Sequence, residues 1–309
     1  MVIDCRRSNC YFAPPKHVSL CSGASLSRIE LGPEDRLYTA QCDVSNCFYN
    51  LGLPVELRRY FGLMSVRAGD MGIDTFQGKA VGADHLLYVR MCVVPMGWSW
   101  ALWWAQGIAE RAAHVAGHDD GTRLRDGRRV PDLAGEGVHV QYVDNYAALS
   151  LHPEVADRVL SGIRDRLRQL GLPVHEEEVA ALDSKLLGWS LDGAAGEFAP
   201  TSERVWKCRF AIDALLSKGR ASGDDIRRVV GHLTFLGLVR RESLSMFCSV
   251  YKFMIVAQSR RIAILVFCLP GASVVSELAA SPLAGLEGPL VSRCGLYRCE
   301  SLGLGCSHL

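Results

Sequence analysis

The stretch VHVQYVDNY, from Val138 to Tyr146, is the part of the chain that decides its fold. Apolar or aromatic residues at 138, 140 and 142 alternate with polar ones, which is the period of a half-buried strand. A second alternating run follows to Ser150, with only Val143-Asp144 between the two, so the pattern predicts a hairpin with a tight turn. A carboxylate held in such a turn can bind a hard cation such as Mg²⁺. Asp-Asn is also ordinary turn chemistry, and this stretch alone leaves both explanations open.

Two stretches further upstream carry matching features. AQCDVSNCFY, residues 40–49, contains a strand-like run that ends at Asp43, with Phe48 five positions later. VVPMGWS, residues 93–99, has a Pro-x-Gly turn that opens a helix. These features and the hairpin follow the order of polymerase motifs A, B and C. In that order and spacing the chain resembles a reverse transcriptase (RNA-directed DNA polymerase) domain. Residues 142–145 resemble the Tyr-x-Asp-Asp box of that family with its last aspartate replaced.

The resemblance implies a two-metal site for phosphoryl transfer. Two Mg²⁺ or Mn²⁺ ions activate the primer 3′ hydroxyl and stabilise the leaving pyrophosphate, and carboxylates from separate strands must bring them together. Asp43 and Asp144 are the implied metal ligands, and Asn145 completes the implied catalytic set. Asn145 keeps a carbonyl ligand but removes one negative charge, which leaves catalytic activity open.

The resemblance also implies a nucleotide pocket. Phe48 stands where the family places the residue under the sugar of the incoming nucleotide, and a bulky ring there excludes a 2′ hydroxyl. The alternative is a buried aromatic residue in a strand. Met96, Gly97 and Tyr142 are the other implied nucleotide-binding residues, with Gly97 permitting close backbone approach.

The resemblance to reverse transcriptases also implies residues that contact the template and the primer. Residues 4–9 resemble the end of the fingers hairpin, where Arg6 and Arg7 contact template phosphate or form an ordinary solvated face. The Leu-Gly-Trp run that includes Gly188 and Trp189 resembles the primer grip, although a Trp in a hairpin is more often core.

The region 226–235 resembles the thumb helix that follows the minor groove of the template–primer. Gly231 in mid-helix costs about 1 kcal/mol relative to Ala, which close approach to a duplex or close helix packing explains. A local basic patch, which the net charge of +1 conceals, consists of Arg227, Arg228, Arg240, Arg241 and Lys252.

The order of elements predicts an α+β fold. We expect a polymerase palm, with a ferredoxin-like antiparallel sheet and helices on one face, plus partial fingers and a helical thumb. Strands are predicted at 36–48, 86–94 (as one strand or two), 138–142, 146–150 and 185–191, and helices at 55–61, 99–114, 153–170, 201–218 and 226–235. The polar, Gly-rich region 117–137 predicts a mobile loop.

The predicted domains are a truncated fingers remnant (1–20), a palm (21–195), a helical thumb (196–256) and an unassigned tail (257–309), for which disorder is one option. In the family, basic residues that grip the triphosphate lie just upstream of the point that Met1 matches, so we expect them to be missing.

Composition indicates the class of protein, the state of its cysteines and whether it has a membrane segment. The 309 residues are 49% hydrophobic and 22% charged, as in a globular protein with a sizeable core. The 12 cysteines form no Cys-x-x-Cys pair, and no secretory signal is present, so we predict reduced thiols in an intracellular protein. Pro95 and Gln106 interrupt the uncharged run 91–109, which predicts a buried turn and helix and no membrane partner.

Three functions agree with these features. The first is an RNA-directed DNA polymerase domain of a retrotransposon or related retroelement polyprotein, whose partners are an RNA or DNA template with a primer and deoxynucleoside triphosphates. The second is a truncated, catalytically inactive remnant that binds nucleic acid, which Asn145 favours. The third is an RNA-templated RNA polymerase, against which Phe48 argues.

Overall fold

The computed structural model describes residues 3–263 and has an α+β architecture built on one four-stranded antiparallel sheet. The strand order is β2-β3-β1-β4, and each helix connects two strands, which is the β-α-β-β-α-β arrangement of ferredoxin-like folds. The elements are β1 (Tyr38–Val44), α1 (Ala101–Val115), β2 (Val138–Tyr142), β3 (Asn145–Ser150), α2 (Pro153–Gln169) and β4 (Val174–Ala181). The predicted hairpin and its two-residue turn are confirmed.

The β2–β3 hairpin is buried on both faces. On one face, Tyr146 and Ala148 pack with α1 and α2 in the larger hydrophobic core. On the other face, Val140 and Leu149 belong to a second core. The prediction of half-buried strands is therefore wrong here, because only Tyr142 of β2 is exposed.

The helix α2 follows its sequence pattern closely. Pro153 occupies its first turn, where a missing N–H costs nothing. Gly171, with a φ of 78°, reverses the chain after the helix. The buried stripe consists of Val155, Val159, Ile163 and Leu167. Leu170, which we assigned to the same stripe, is 47% exposed.

A three-stranded sheet covers part of the face opposite the two helices. Its strands are β5 (Asp183–Leu186), β6 (Trp189–Asp192) and β7 (Glu197–Pro200). The single strand predicted at 185–191 is wrong, because Leu187 and Gly188 have φ values of 51° and 81° and form a turn between β5 and β6. Two adjacent positive φ angles are typical of tight hairpin turns.

The C-terminal part of the described chain is helical. Its helices are α3 (Ser202–Lys218), α4 (Gly223–Gly237) and α5 (Cys248–Ala257), with a 3₁₀ segment at Arg241–Phe247. Gly219, with a φ of 61°, ends α3 as predicted. Ser222 caps α4 through a capping box with Asp225, which confirms the predicted N-cap.

Short elements complete the described chain. Helical turns lie at Arg6–Asn9, Gly23–Leu26, Cys47–Asn50, Val55–Tyr60, Gly69–Met71 and Asp120–Thr122. Two-residue strands pair Val66–Arg67 with Leu86–Leu87, Thr75–Phe76 with Lys79–Ala80, and Arg220–Ala221 with Ile262–Ala263. The strand predicted at 86–94 is reduced to residues 86–87, with isolated bridges at 90 and 93. Residues 264–309 of the unassigned tail lie outside the described range.

The region 117–137, predicted as a mobile loop, is packed against the main sheet. Arg123 is 5% exposed and forms ion pairs with Glu110 and Asp120. Leu124 is buried, and its N–H donates to the His139 carbonyl at 3.0 Å. The composition of the loop is polar, but its few apolar side chains and this buried arginine fix it in place.

Two general predictions can be compared with the described residues. All eight cysteines within residues 3–263 are free thiols. No helix in the same range is long and apolar enough to cross a bilayer.

We predict that Trp189→Ala destabilises the protein by about 3–5 kcal/mol, because it removes a large ring from a packed core. Trp189 is 2% exposed and its ring stacks on Phe198 and Phe235 at centroid distances of 4.7 and 4.9 Å. Urea unfolding measures this loss. Trp206→Ala is the matched control, since Trp206 is 52% exposed, and we expect a change of about 0.5 kcal/mol or less. Equal effects of both substitutions would contradict the assignment of Trp189 to the core.

Candidate active site

One row of side chains crosses all four strands of the main sheet. Tyr142 is paired with Asn145, Asn145 with Asp43, and Asp43 with His175. Residues directly opposite in an antiparallel sheet have Cβ atoms about 4.5–5.5 Å apart and share a face. The row lies on the face opposite α1 and α2, because the neighbouring residues in sequence, such as Val44, belong to the core on the helix side.

Asp144 lies in the turn beside this row. Its carbonyl accepts a hydrogen bond from the Val44 N–H at 2.9 Å, which fixes the turn against the end of β1. The Asn145 side-chain amide donates to Asp144 Oδ1 at 3.0 Å. The chain thus brings Asp43, Asp144 and Asn145 together, although they come from two separate regions of the sequence.

The turn itself carries backbone strain. Val143 has a φ of 61°, a value that β-branched residues rarely adopt. Such conformations cost on the order of 1–3 kcal/mol and persist only where the surroundings hold them. A turn under this strain needs a specific anchor.

Gln106 of α1 supplies that anchor. Its Oε1 accepts from the Val143 N–H at 3.0 Å, and its Nε2 donates to the Gln141 carbonyl at 3.1 Å. The same Nε2 is 3.1 Å from Glu110 Oε1. Gln106 is 1% exposed, so a fully buried amide joins the helix to the backbone on both sides of Tyr142.

The electrostatics of the row centre on Asp43. Burial raises the pKa of the Asp43 carboxyl, and the negative charge of Asp144 raises it further. His175 acts in the opposite direction, with its Nε2 at 3.8 Å from Asp43 Oδ1. The Asp43 side chain is 27% exposed and that of His175 is 42% exposed, so solvent and ligands reach this end of the sheet.

The donor set suits a hard divalent cation. Asp43 and Asp144 provide oxygen ligands whose negative charges repel each other, and a cation between them relieves that repulsion. Within residues 3–263, no group of three or more His, Cys, Asp and Glu side chains is arranged to hold a metal. Mg²⁺ is commonly held by one or two carboxylates, with water and substrate phosphates as its other ligands. The two aspartates match that requirement.

Met96 and Gly97 lie in a turn that contacts the N-terminal segment. The Ile3 N–H donates to the Met96 carbonyl at 2.9 Å, and Asn9 Nδ2 donates to the Gly97 carbonyl at 3.0 Å. A Cβ on Gly97 would lie 2.2 Å from the Ile3 carbonyl oxygen. The segment at Ile3 therefore occupies the space beside Gly97 that the missing side chain leaves open.

The two aromatic candidates differ in their surroundings. Phe48 lies in the helical turn after β1 and is half-buried against the core on the helix side. Tyr142 is 36% exposed at the end of the row. The strand predicted at 36–48 ends at Val44, so the alternative of a buried aromatic residue in a strand is wrong. The role of Phe48 beneath the sugar stays a prediction.

The candidate contacts for template and primer fall into two groups. Arg6 and Arg7 are exposed, and Arg6 pairs with Asp4 at 2.6 Å. The ring of Trp189 is core, which corrects the prediction that its side chain contacts nucleic acid. A Cβ on Gly188 would lie 2.8 Å from Arg204 Nη2, so this turn is also packed against α3.

The helix α4 presents an open face. Arg227, Arg228 and Gly231 are exposed, and Arg227 pairs with Asp224. No atom lies within 4 Å of a Cβ built on Gly231. Close helix packing, one of the two explanations given for Gly231, is therefore wrong within the described chain. The other explanation, close approach of a nucleic acid duplex, stays a prediction.

Sequence reasoning missed two residues of the site. Gln106 had a visible signal, because it is a polar residue within an otherwise uncharged helical run. His175 had none, because its place opposite Asp43 depends on the register between β1 and β4, which contains irregularities.

Comparison with solved structures finds a reverse-transcriptase-like fold. A foamy viral protease-reverse transcriptase dRH in complex with double-stranded DNA matches with a TM-score of 0.56 and 13% identity, over 90% of this chain and 41% of that chain. A foamy viral protease-reverse transcriptase in complex with RNA/DNA hybrid matches with the same score and identity, over 90% of this chain and 31% of that chain. This chain thus spans less than half the length of either. No protein-family model and no curated protein matches the sequence.

We predict that Gln106→Leu destabilises the protein by about 1–3 kcal/mol, because the buried Val143 N–H and Gln141 carbonyl lose their partner. Urea unfolding gives the free energy, and hydrogen exchange at the Val143 amide should accelerate by more than global unfolding explains. Gln169→Leu is the matched control on the exposed end of α2. Unchanged exchange at Val143 would show that Gln106 does not hold the turn.

Proposed function

We propose that this chain is the polymerase part of a reverse transcriptase and adds deoxynucleotides to a primer on an RNA or DNA template. The observation that carries the proposal is the cross-strand row, which aligns Asp43 with Asn145 and sets Asp144 beside them. Two carboxylates, one from a strand and one from the neighbouring hairpin turn, at one open sheet end are what two-metal phosphoryl transfer requires. A retroelement polyprotein, such as that of a retrotransposon, is the proposed source.

In this proposal Asp43 and Asp144 hold two Mg²⁺ or Mn²⁺ ions. Such ions supply Lewis acid activation of the primer hydroxyl and charge neutralisation at the leaving pyrophosphate. The chain contributes position, because phosphoryl transfer asks the protein mainly to orient groups and to neutralise charge. The anchor from Gln106 to Val143 keeps the Asp144 turn in one geometry.

The proposed nucleotide pocket lies beside the row. Phe48 would border the sugar and exclude a 2′ hydroxyl, and Tyr142 would contact the nucleotide or the primer end. Met96 and Gly97 would line the pocket, with their carbonyls held by hydrogen bonds from Ile3 and Asn9. Arg227, Arg228 and Gly231 would contact the duplex backbone, where each phosphate contact adds salt dependence.

A second function has one specific observation in its favour. Asn145 donates a hydrogen bond to Asp144 Oδ1, so one lone pair of the implied metal ligand is already engaged, and the turn has one carboxylate fewer than the family box. In this case the chain binds nucleic acid through the same surfaces and does not catalyse nucleotide addition.

The test is primer extension on an RNA template with Mg²⁺ or Mn²⁺. We expect Asp144→Asn to extend the primer roughly 10³-fold or more slowly than the wild type, about 4 kcal/mol of transition-state stabilisation. Asp213→Asn, an exposed carboxylate on α3, is the matched control and should keep wild-type activity. Duplex binding without extension in the wild type would favour the inactive remnant.

We further predict that Asp43→Asn raises the melting temperature at pH 7 while it abolishes extension. The folded-state pKa of Asp43 is raised, so its ionisation destabilises the fold as pH rises from the ordinary aspartate pKa through the folded one. The side-chain amide in Asp43→Asn does not ionise, so the variant lacks this destabilisation. Its higher melting temperature relative to the wild type should vanish below about pH 4, where the wild-type carboxyl is protonated in both the folded and the unfolded state. Calorimetry across this pH range measures the difference, and a lower melting temperature for the variant at pH 7 would contradict it.

Asn145→Asp should lower the Mg²⁺ concentration for half-maximal extension, because total ligand charge holds hard cations. It also removes the hydrogen bond to Asp144 and frees that oxygen. The rate should rise by roughly tenfold, equivalent to about 1.4 kcal/mol. An unchanged metal requirement, with the variant folded, would show that this side chain does not act on the ions.

A further inference from the structure

An exposed tyrosine, Tyr11, lies against the half-buried Tyr60 near the N-terminal segment, outside the carboxylate site. Tyr11 is 73% exposed, and its ring centroid lies 5.5 Å from that of Tyr60. The Arg59 guanidinium lies 5.0 Å from the centroid of the Tyr60 ring and donates to the Tyr60 hydroxyl at 3.0 Å. We call Arg7, Tyr11, Arg59 and Tyr60 the Tyr11 surface.

The Tyr11 surface has rigid support. Ser8 Oγ donates to the Tyr60 carbonyl at 2.7 Å, which joins the N-terminal helical turn to the segment 55–60. Beneath it, Phe12 contacts the Tyr60 and Trp98 rings at centroid distances of 5.2 and 5.3 Å. Because the two segments are fixed to each other, Tyr11 keeps its exposed face in a defined position.

The same aromatic stack leads to the turn beside the proposed nucleotide pocket. Trp98 is 5% exposed and follows Gly97 directly. Asn9 holds both sides of this turn, since it donates to the Gly97 carbonyl and accepts from the Ser99 N–H at 2.9 Å. The Tyr11 surface is therefore continuous with the Pro95–Gly97 turn.

The charge around the rings favours an anionic partner. Basic side chains outnumber acidic ones in the two segments, residues 4–16 and 54–61, with Asp4 and Glu56 as the acidic members. The basic members are Arg6, Arg7, Lys16, Arg58 and Arg59. Asp4 is paired with Arg6, and Arg58 donates to the Leu53 carbonyl. The exposed Arg7 and Lys16 remain to meet a partner, and Arg59, which one of its N–H groups ties to the Tyr60 hydroxyl, is also exposed.

We propose that the Tyr11 surface binds an unpaired stretch of nucleic acid. Exposed aromatic rings beside cationic side chains are the combination that holds single strands, because bases stack on the rings while the cations meet the phosphates. A paired duplex does not offer the faces of its bases to Tyr11. The inference extends the proposed function, since the strand held here would lead towards or away from the carboxylate site.

The experiment is fluorescence anisotropy of the full chain with a labelled single strand of about 10 nucleotides. We expect Tyr11→Ala to raise the Kd about tenfold, because it removes one base stack. Tyr11→Phe should keep wild-type affinity, since the ring and not the hydroxyl does the stacking. Arg59→Gln should weaken binding and reduce the slope of log K against log salt by about 0.7, one phosphate contact on a single strand.

Two substitutions serve as matched controls. Trp206→Ala removes another exposed aromatic residue, on α3, and Arg158→Gln removes an exposed arginine on α2. Both should leave single-strand affinity unchanged. Equal losses in Trp206→Ala and Tyr11→Ala, no loss in Tyr11→Ala, or no single-strand binding by the wild type would each overturn the proposal. A wild-type dimer that Tyr11→Ala dissociates, with strand affinity unchanged, would assign the surface to a second copy instead and would also overturn it.

Failure of this inference is distinguishable from failure of the proposed function. Asp43→Asn should abolish extension and leave single-strand affinity unchanged, while Tyr11→Ala should lose single-strand affinity and keep the affinity for a blunt duplex. A wild type that never extends a primer but loses strand affinity with Tyr11→Ala would refute the polymerase proposal alone.

Discussion

The antiparallel register between β1 and β3 is the constraint on which the candidate site depends. It pairs Asp43 with Asn145 and, through the β2–β3 turn, sets Asp144 beside both. A shift of one residue would send Asp43 to the face of α1 and α2 and bring core residues to the open face. The register is secure because alternate residues of β3 fill two different cores, while Ala40, Cys42 and Val44 of β1 belong to the larger one. The chemistry at one end of the sheet therefore rests on packing along its whole length.

The β2–β3 hairpin is buried on both faces, which explains why a polar side chain lies buried behind its turn. The backbone of the turn between β2 and β3 is strained at Val143, and a helix lies against it, so the turn requires a buried partner. Gln106 meets this need, and Glu110 and Arg123 continue the polar contacts away from it. The buried Gln106 amide, whose oxygen and nitrogen both have partners, holds a single geometry, whereas unsatisfied buried groups cost stability. The region 117–137, with Arg123, thus contributes to the support of the candidate active site from outside it.

The sequence predicts the features that depend on local pattern. The hairpin, its turn at Val143-Asp144 and the helix α2 follow from periodicity and from residues with fixed backbone preferences. The Leu187-Gly188 turn was missed because leucine gives no signal for a positive φ. Packing of the loop 117–137 was missed because one buried arginine and a few apolar residues decide it, and composition averages them away. His175 depends on an irregular register between distant strands, which no local pattern encodes.

The central claim is that Asp43 and Asp144 form one divalent cation site at the open end of the sheet. The most direct test is paramagnetic broadening of backbone amide signals by Mn²⁺, added at a small fraction of the protein concentration. The account predicts that the amides of Val44, Asp144 and Asn145 broaden first, that Mg²⁺ reverses the effect, and that Asp144→Asn removes it. Broadening that begins at other carboxylates, or that Asp144→Asn leaves unchanged, would contradict the claim.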